Sequence, residues 1–313
     1  MGDGLSADGS ERAARHRVVV DPTYGYRRLD PLPSDSEFER FYESRYYDLL
    51  RRGGRAPDLR RLLAGGEEGE RERRWLGETL YADVGHAIET HGPGKRVLDV
   101  GCGQGELLHW LADHGFEAQG IEPSEEATAI ARERDLDARA ITIDELVGDP
   151  DRHGAYDAVV MLNVLEHVPE PVAMLEDAGR LLAPGGLLYL KVPNDFNPLQ
   201  LAAQRKLDCE EWWVAVPDHV NYFDVESLCA LGRRLGFEPL DVQADSPMEL
   251  FLLMGLDYVA DPELGATCHG YRVEAELSMP AELRRALFSS YAASGIGRNV
   301  RAVLGKEVDD TAR

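Results

Sequence analysis

Between Lys95 and Asn194 the apolar positions follow two alternating rhythms, short unbroken runs and longer stretches spaced three and four apart. The runs Arg96 to Val100, Glu117 to Glu122, "YDAVVMLNV" (Tyr156 to Val164) and "LLYLKVP" (Leu187 to Pro193) predict buried strands, with "ARAIT" (Ala138 to Thr142) a weaker one. Helical spacing fills the gaps: Glu106 to His114, "SEEATAIARERD" from Ser124, and "PEPVAMLEDAGRLLAPGG" from Pro169, which ends on a glycine stop. Strand and helix alternate, which predicts a parallel sheet covered on both faces.

The flanks read differently. Residues 1–30 are polar and charged at their start with little periodicity, and are expected to be a flexible leader. Within 31–92 a helical cap is expected: Ser34 and Glu37 have capping-box spacing, Phe38, Phe41, Tyr42 and Tyr46 give an aromatic face, and a second helix from Glu70 to Thr90 carries the stripe Leu76, Leu80, Val84 and Ile88. Past the alternating region, "DVESLCALGRRLGF" predicts a capped helix ending at Gly236 and "EPLDVQAD" a strand. The core is therefore drawn as 93–245 with 297–306, where "GRNVRAVLGK" is its last strand, and 246–296 as a helical insertion or lid. No internal repeat is visible.

Composition narrows the partners. The chain has 313 residues, 43% hydrophobic, without an apolar run long enough to span a membrane. Its 57 acidic against 34 basic residues give a net charge of −23, which repels phosphate backbones and anionic lipid, so neither nucleic acid nor membrane is expected as a partner. Gly2 and Ser6 formally fit a lipid-acceptor pattern, but nothing basic nearby supplies the second anchor that stable membrane attachment needs. Cys102, Cys209, Cys229 and Cys268 are scattered without metal-like pairs, which fits a reducing cytoplasm.

The chemistry begins at "VLDVGCGQGELL", Val97 to Leu108. Gly101, Gly103 and Gly105 form a bare turn between strand and helix, where a ligand can approach the main chain. Their spacing is G-x-G-x-G, not the dinucleotide G-x-G-x-x-G, and Asp99 stands two residues ahead. A carboxylate there would repel a pyrophosphate and attract an ammonium. Glu122, at the end of the next strand, can accept from both hydroxyls of a ribose; otherwise it would only complement the dipole of the helix that follows.

Together "VLDVGCGQGELL", "GIEPS", "YDAVVMLNVLEHVPEP" and "LLAPGGLLYLKVPN" resemble, in order and over roughly 95–194, the class I S-adenosylmethionine-dependent methyltransferases. "LEHV" and the "HVNYF" pattern at His219 to Phe223 are similar to the group that includes the ubiquinone-biosynthesis O-methyltransferases. The resemblance implies an α/β, Rossmann-like, seven-stranded sheet with helices on both faces and S-adenosyl-L-methionine as cofactor. It implies that Asp99, Gly101, Cys102, Gly103 and Gly105 hold the methionine end, Glu122 and Pro123 the ribose, and Thr142 and Ile143 the adenine, with Asn163 also at the cofactor. Thr142 stands where such families often carry an aspartate.

Methyl transfer from a sulfonium is an in-line displacement, so few side chains need be indispensable. His167 or His219 is expected as the base for a hydroxyl acceptor, against a reading in which His167 only orients backbone or cofactor. Some relatives bind a divalent metal through E-x-x-E-H and a distant histidine; here the first acid is Asn163, and no metal is expected. Asn194, Trp212, Trp213 and Tyr222 are expected to wall an acceptor pocket, with Tyr42 and Tyr46 reaching it from the cap. The segment "MELFLLM" (Met248 to Met254) would serve a lid or a homodimer interface. The expected activity is methylation of a small molecule, at oxygen, in a biosynthetic pathway. Rival readings are an N- or C-methyltransferase of a sugar or natural-product intermediate, a non-catalytic S-adenosylmethionine-binding protein, and a nicotinamide oxidoreductase.

Overall fold

The computed structural model describes residues 16–34, 36–37, 61–62 and 65–306. The aromatic stretch with Tyr42 and Tyr46 lies outside the described residues. Strands β1 (Arg17–Val20) and β2 (Arg27–Asp30) form an antiparallel hairpin. That corrects the expected leader from residue 17 onward. Its turn is set by Asp21, whose carboxylate accepts the N–H groups of Thr23 and Tyr24 at 2.9 Å each, and by Gly25 in the left-handed region. Leu29 is fully buried, and Tyr26 packs on Phe223 with ring centroids 5.2 Å apart.

The expected Glu70 to Thr90 helix is present but broken in its middle. Helix α1 (Gly66–Leu76) passes through a π turn at Gly77–Tyr81 into α2 (Ala82–His91). Within the π turn the Thr79 hydroxyl donates to the Trp75 carbonyl at 2.6 Å. Strand β3 (Arg96–Val100) then leads through the glycine turn to α3 (Glu106–Asp113), β4 (Glu117–Ile121), α4 (Glu125–Glu133) and the short β5 (Ala138–Arg139). The weak strand stops early because Thr142 caps another helix, α5 (Ile143–Val147). Next come β6 (Tyr156–Leu162), α6 (Pro171–Leu181), β7 (Leu182–Pro193), α7 (Pro198–Leu207), β8 (Asn221–Tyr222), α8 (Val225–Arg234) and β9 (Phe237–Ala244).

A seven-stranded sheet has the order β5-β4-β3-β6-β7-β10-β9, and β10 (Asn299–Lys306) runs antiparallel between β7 and β9. Every central strand is buried on both faces, which explains the unbroken apolar runs. On β6, Val159 and Met161 enter one core with Leu98, while Ala158 and Val160 enter the other with Val97 and Leu187. The short β8 adds to β2, making a separate three-stranded sheet.

The insertion holds α9 (Glu249–Leu253), α10 (Pro262–Ser278) and α11 (Ala281–Ala293). Buried ion pairs fasten it. Asp83 on α2 accepts from Arg301 at 3.1 Å, Arg285 at 3.2 Å and Arg284 at 3.4 Å, and Asp245 accepts from Arg272 at 2.8 Å. The Trp75 indole N–H donates to Glu276 at 2.8 Å. Removing one partner of such a buried set leaves an uncompensated charge and costs about 3–5 kcal/mol. Among the described residues no helix is long and apolar enough to cross a membrane.

Candidate active site

The turn after β3 takes three left-handed glycines, but their bareness serves different ends. A Cβ on Gly105, at φ +83°, would lie 2.6 Å from Leu136 Cδ1, and one on Gly101, at φ +75°, 2.8 Å from Val164 Cγ2. At Gly103, with φ +52°, nothing stands within 4 Å. Two of the glycines thus admit neighbouring side chains, and Gly103 faces open space. The main-chain donors of the turn are largely engaged as well. Gly101 and Cys102 donate to the Ile121 carbonyl at 2.8 and 3.1 Å, and Gly105 donates to the Cys102 carbonyl at 2.9 Å. The Cys102 side chain is buried with Leu108 and Ala131, so only its backbone borders the turn's open side.

The charged groups therefore carry the recognition. Glu122 turns inward: one carboxylate oxygen accepts the Gly103 N–H at 3.3 Å and the other the Ser124 N–H at 3.0 Å. Each oxygen keeps a lone pair for a further donor. Asp99 is buried behind the turn, and its carboxyl is pushed up to about 8, by burial first and by the Glu122 charge second. A buried carboxyl whose ionisation is disfavoured beside another acid suits a cationic partner, such as the α-ammonium of an amino acid. This cradle is where the methionine and ribose ends are expected. Pro123 is exposed beside it. Thr142 is half-buried and donates its N–H to Glu145 at 2.8 Å, whereas the Ile143 side chain is packed in the core. The Ile143 side chain is committed to the fold, which leaves its backbone for the expected adenine contact.

Sequence reasoning missed Tyr81. It leaves the π turn close enough to Asp99 and Glu106 for both charges to press on its hydroxyl, which burial first and those charges next raise above its usual range. No sequence signal marks it, because a π turn shifts the helical register only once formed.

At the ends of β6 and β7 the chain builds a second polar group. Asn163 takes a left-handed backbone, φ 59°, that ends β6. Its side chain donates to Glu166 at 2.9 Å and accepts from the Lys191 ammonium. His167 is held by Asp218, with Nδ1 2.9 Å from the carbonyl oxygen and 3.2 Å from the carboxylate. Burial alone would lower the imidazole, but the Asp218 hydrogen bond and the Glu166 and Asp218 charges prevail and raise it to about 9. Near pH 7 the imidazole is therefore held protonated, whereas the expected base must be neutral. Asp218 was missed for want of a spacing rule linking residues 51 apart.

His219 meets His167 edge to face, ring centroids 4.9 Å apart. Glu166, His167 and His219, the residues left of the metal-binding pattern when its first acid is Asn163, offer ligand atoms all within 4.8 Å of one another. The aromatic wall divides. Trp212 is half-buried against Trp213, which packs on Phe196 at 5.4 Å. Tyr222 is fully buried among Leu29 and Val220, and its hydroxyl donates to the His219 carbonyl at 2.9 Å. Tyr222 is thus corrected from pocket wall to loop anchor. Asn194 is also fully buried, donating to the Gly297 carbonyl at 3.0 Å. In "MELFLLM", Met248 and Leu252 are buried while Met254 is 71% exposed.

Comparison with known proteins fits this geometry. Ubiquinone biosynthesis O-methyltransferases of Marinobacter nauticus and Xanthomonas campestris are 39% and 38% identical to this chain over 107 and 108 residues. Those matches take in 32% and 33% of this chain but 45% and 44% of the relatives, so it spans less than half their length. Among solved structures, the Burkholderia thailandensis 1,6-didemethyltoxoflavin-N1-methyltransferase superposes with a TM-score of 0.52 at 16% identity, covering 93% of this chain and 99% of its own. The [4+2]-cyclase SpnF gives 0.51 at 21% identity, with 88% and 97% covered. These two likenesses establish the fold alone. A family profile described as a methyltransferase domain matches residues 70–242, more than half the sequence, and the chain belongs to that methyltransferase family.

Proposed function

We propose that the protein transfers a methyl group from S-adenosyl-L-methionine to a hydroxyl of a small molecule. The observation that carries the reading is the inward Glu122 carboxylate beside buried Asp99, at a turn where Gly103 leaves open space. When bound, the cofactor would supply an electrophilic methyl on a sulfonium. The chain's own part is to bind and align: Asp99 would pair with the ammonium, Glu122 would accept the ribose hydroxyls, and the bend at Gly103 would admit both. The names of the ubiquinone-biosynthesis relatives favour oxygen as the methylated atom.

His167 takes the acceptor's proton only in its neutral form. Its high basicity means that turnover climbs with pH towards about 9 if it is the base. Asp218 and Glu166 orient the ring. Four free cysteines suit a reducing cytoplasmic setting. A homodimer through the exposed Met254 face remains part of this reading, tested by solution mass.

Incubation with the methyl donor and a panel of hydroxylated and amino metabolites tests the function. Release of S-adenosylhomocysteine is expected. Cofactor binding without release would establish a non-catalytic binder, and tighter binding of NAD would overturn the methyl-donor assignment.

A further inference from the structure

Buried oxygens collect where β7 ends beneath the insertion. Glu166 Oε2, Asn194 Oδ1, Asp195 Oδ2, Gln200 Oε1, both Glu249 carboxylate oxygens and the Tyr258 hydroxyl are buried without a hydrogen-bond partner. Exposure is 1% for Glu166, 3% for Asp195 and 0% for Glu249. Except for the Tyr258 hydroxyl, every one of these atoms is an acceptor. Their own residues' donors are spent elsewhere: Asn194 Nδ2 on the Gly297 carbonyl at 3.0 Å, and Gln200 Nε2 on the other Asp195 oxygen at 3.4 Å.

The acids feel one another. Burial first, then the charges of Glu166 and Glu249, push Asp195 up to about 8, although the Gln200 hydrogen bond and Arg298 oppose them. Glu249 is raised by burial, again against Arg298. Packing of α7 on α9 brings the Gln200 and Glu249 elements together. Leaving a buried acceptor unpaired is destabilising, so several in one place call for a ligand that brings donors.

We propose that Glu166, Asp195 and Glu249 form an anchoring subsite for an ammonium group, so that the methyl acceptor is an amine-bearing small molecule. An ammonium carries the three N–H donors these oxygens lack and a positive charge besides, whereas a hydroxyl brings one donor and no charge. The inference deepens the methyl-transfer reading and rests on it for the acceptor's role. It assigns the ammonium to anchoring; the methylated hydroxyl lies elsewhere on the same molecule.

The test measures binding of tyramine and glucosamine against their neutral counterparts 4-ethylphenol and glucose, by calorimetry on the full chain, with and without S-adenosylhomocysteine. The amines are expected to bind at least tenfold tighter, and Asp195→Asn or Glu249→Gln to erase most of that preference. Thermal unfolding without probe separates binding from folding: each variant removes an unpaired acid and is expected to hold or raise Tm at pH 9. Equal or tighter binding of the neutral probes overturns the proposal, as does the absence of amine binding or a preference lost together with Tm. An amine preference that persists in a chain unable to bind S-adenosylhomocysteine supports the subsite and sinks the methyl-transfer reading instead.

Discussion

At the ends of β3 and β4 the site is built from neighbours in sequence, one turn and one carboxylate on consecutive strands. At the ends of β6 and β7 it is built from residues far apart, His167 with Asp218 and Glu166 with Asn163 and Lys191, beneath an insertion that starts beyond Asp245. The first region holds its acids with main-chain N–H groups, as at Glu122. The second leaves acids such as Glu249 with no partner. A half made of local geometry and a half made of tertiary contacts can therefore change independently.

The largest effect expected on the local half comes from Glu122→Ala. Losing charge-assisted bonds to two ribose hydroxyls should weaken S-adenosylhomocysteine about 100-fold, or roughly 3 kcal/mol, by calorimetry. A change below about fivefold would remove Glu122 from the cradle, since it is less than one such bond is worth.

Next in size is Gly105→Ala, which drives a methyl into Leu136 at a left-handed backbone and should lower stability by about 2 kcal/mol in thermal unfolding. Gly103→Ala meets open space and should cost about 1 kcal/mol, the backbone penalty alone, with its larger effect on cofactor affinity. Equal losses of stability in the two variants would erase the distinction between packing and binding glycines.

A smaller effect sharpens the electrostatic side of the comparison. Asp99 is raised from 3.8 to about 8, so the ligand-free fold holds a proton that the unfolded chain has released across that window, and stability falls as pH rises through it. Pairing with an ammonium should expel that proton. Calorimetry at pH 7 in buffers of different ionisation enthalpy is expected to show release of close to one proton, and Asp99→Asn to abolish it. No release in the unsubstituted protein would mean that Asp99 is not the ammonium's partner.

The smallest effect belongs to the region at the ends of β6 and β7. His167 is raised from 6.5 to about 9, so its stabilising contribution is full below pH 6.5 and disappears as pH climbs through about 9. Asp218→Asn should return the imidazole towards 6.5 in an NMR titration and flatten the stability profile between those limits. An unmoved titration would show that Glu166, not Asp218, keeps the ring protonated against burial.

The legible parts share a cause. Strands β3, β6 and β7 announced themselves because both of their faces are buried, and the glycine turn because left-handed backbone excludes most other residues. The β1–β2 hairpin was hidden by its charged setting, although the Asp21 to Gly25 turn carried a local signal. Tyr222 fell on the wrong side of the divide between pocket and core because periodicity gives a residue's face, not what covers that face.

By itself the sequence determined the alternation of strand and helix, the glycine turn with its flanking acids, and the family resemblance, all of which depend on residues within a few positions of one another. Only the tertiary structure decided that His167 carries its proton near neutrality, that Tyr81 borders Asp99, and that unpaired acids gather under the insertion. Basicity and unmet hydrogen bonds are properties of an environment, and burial by distant segments creates that environment.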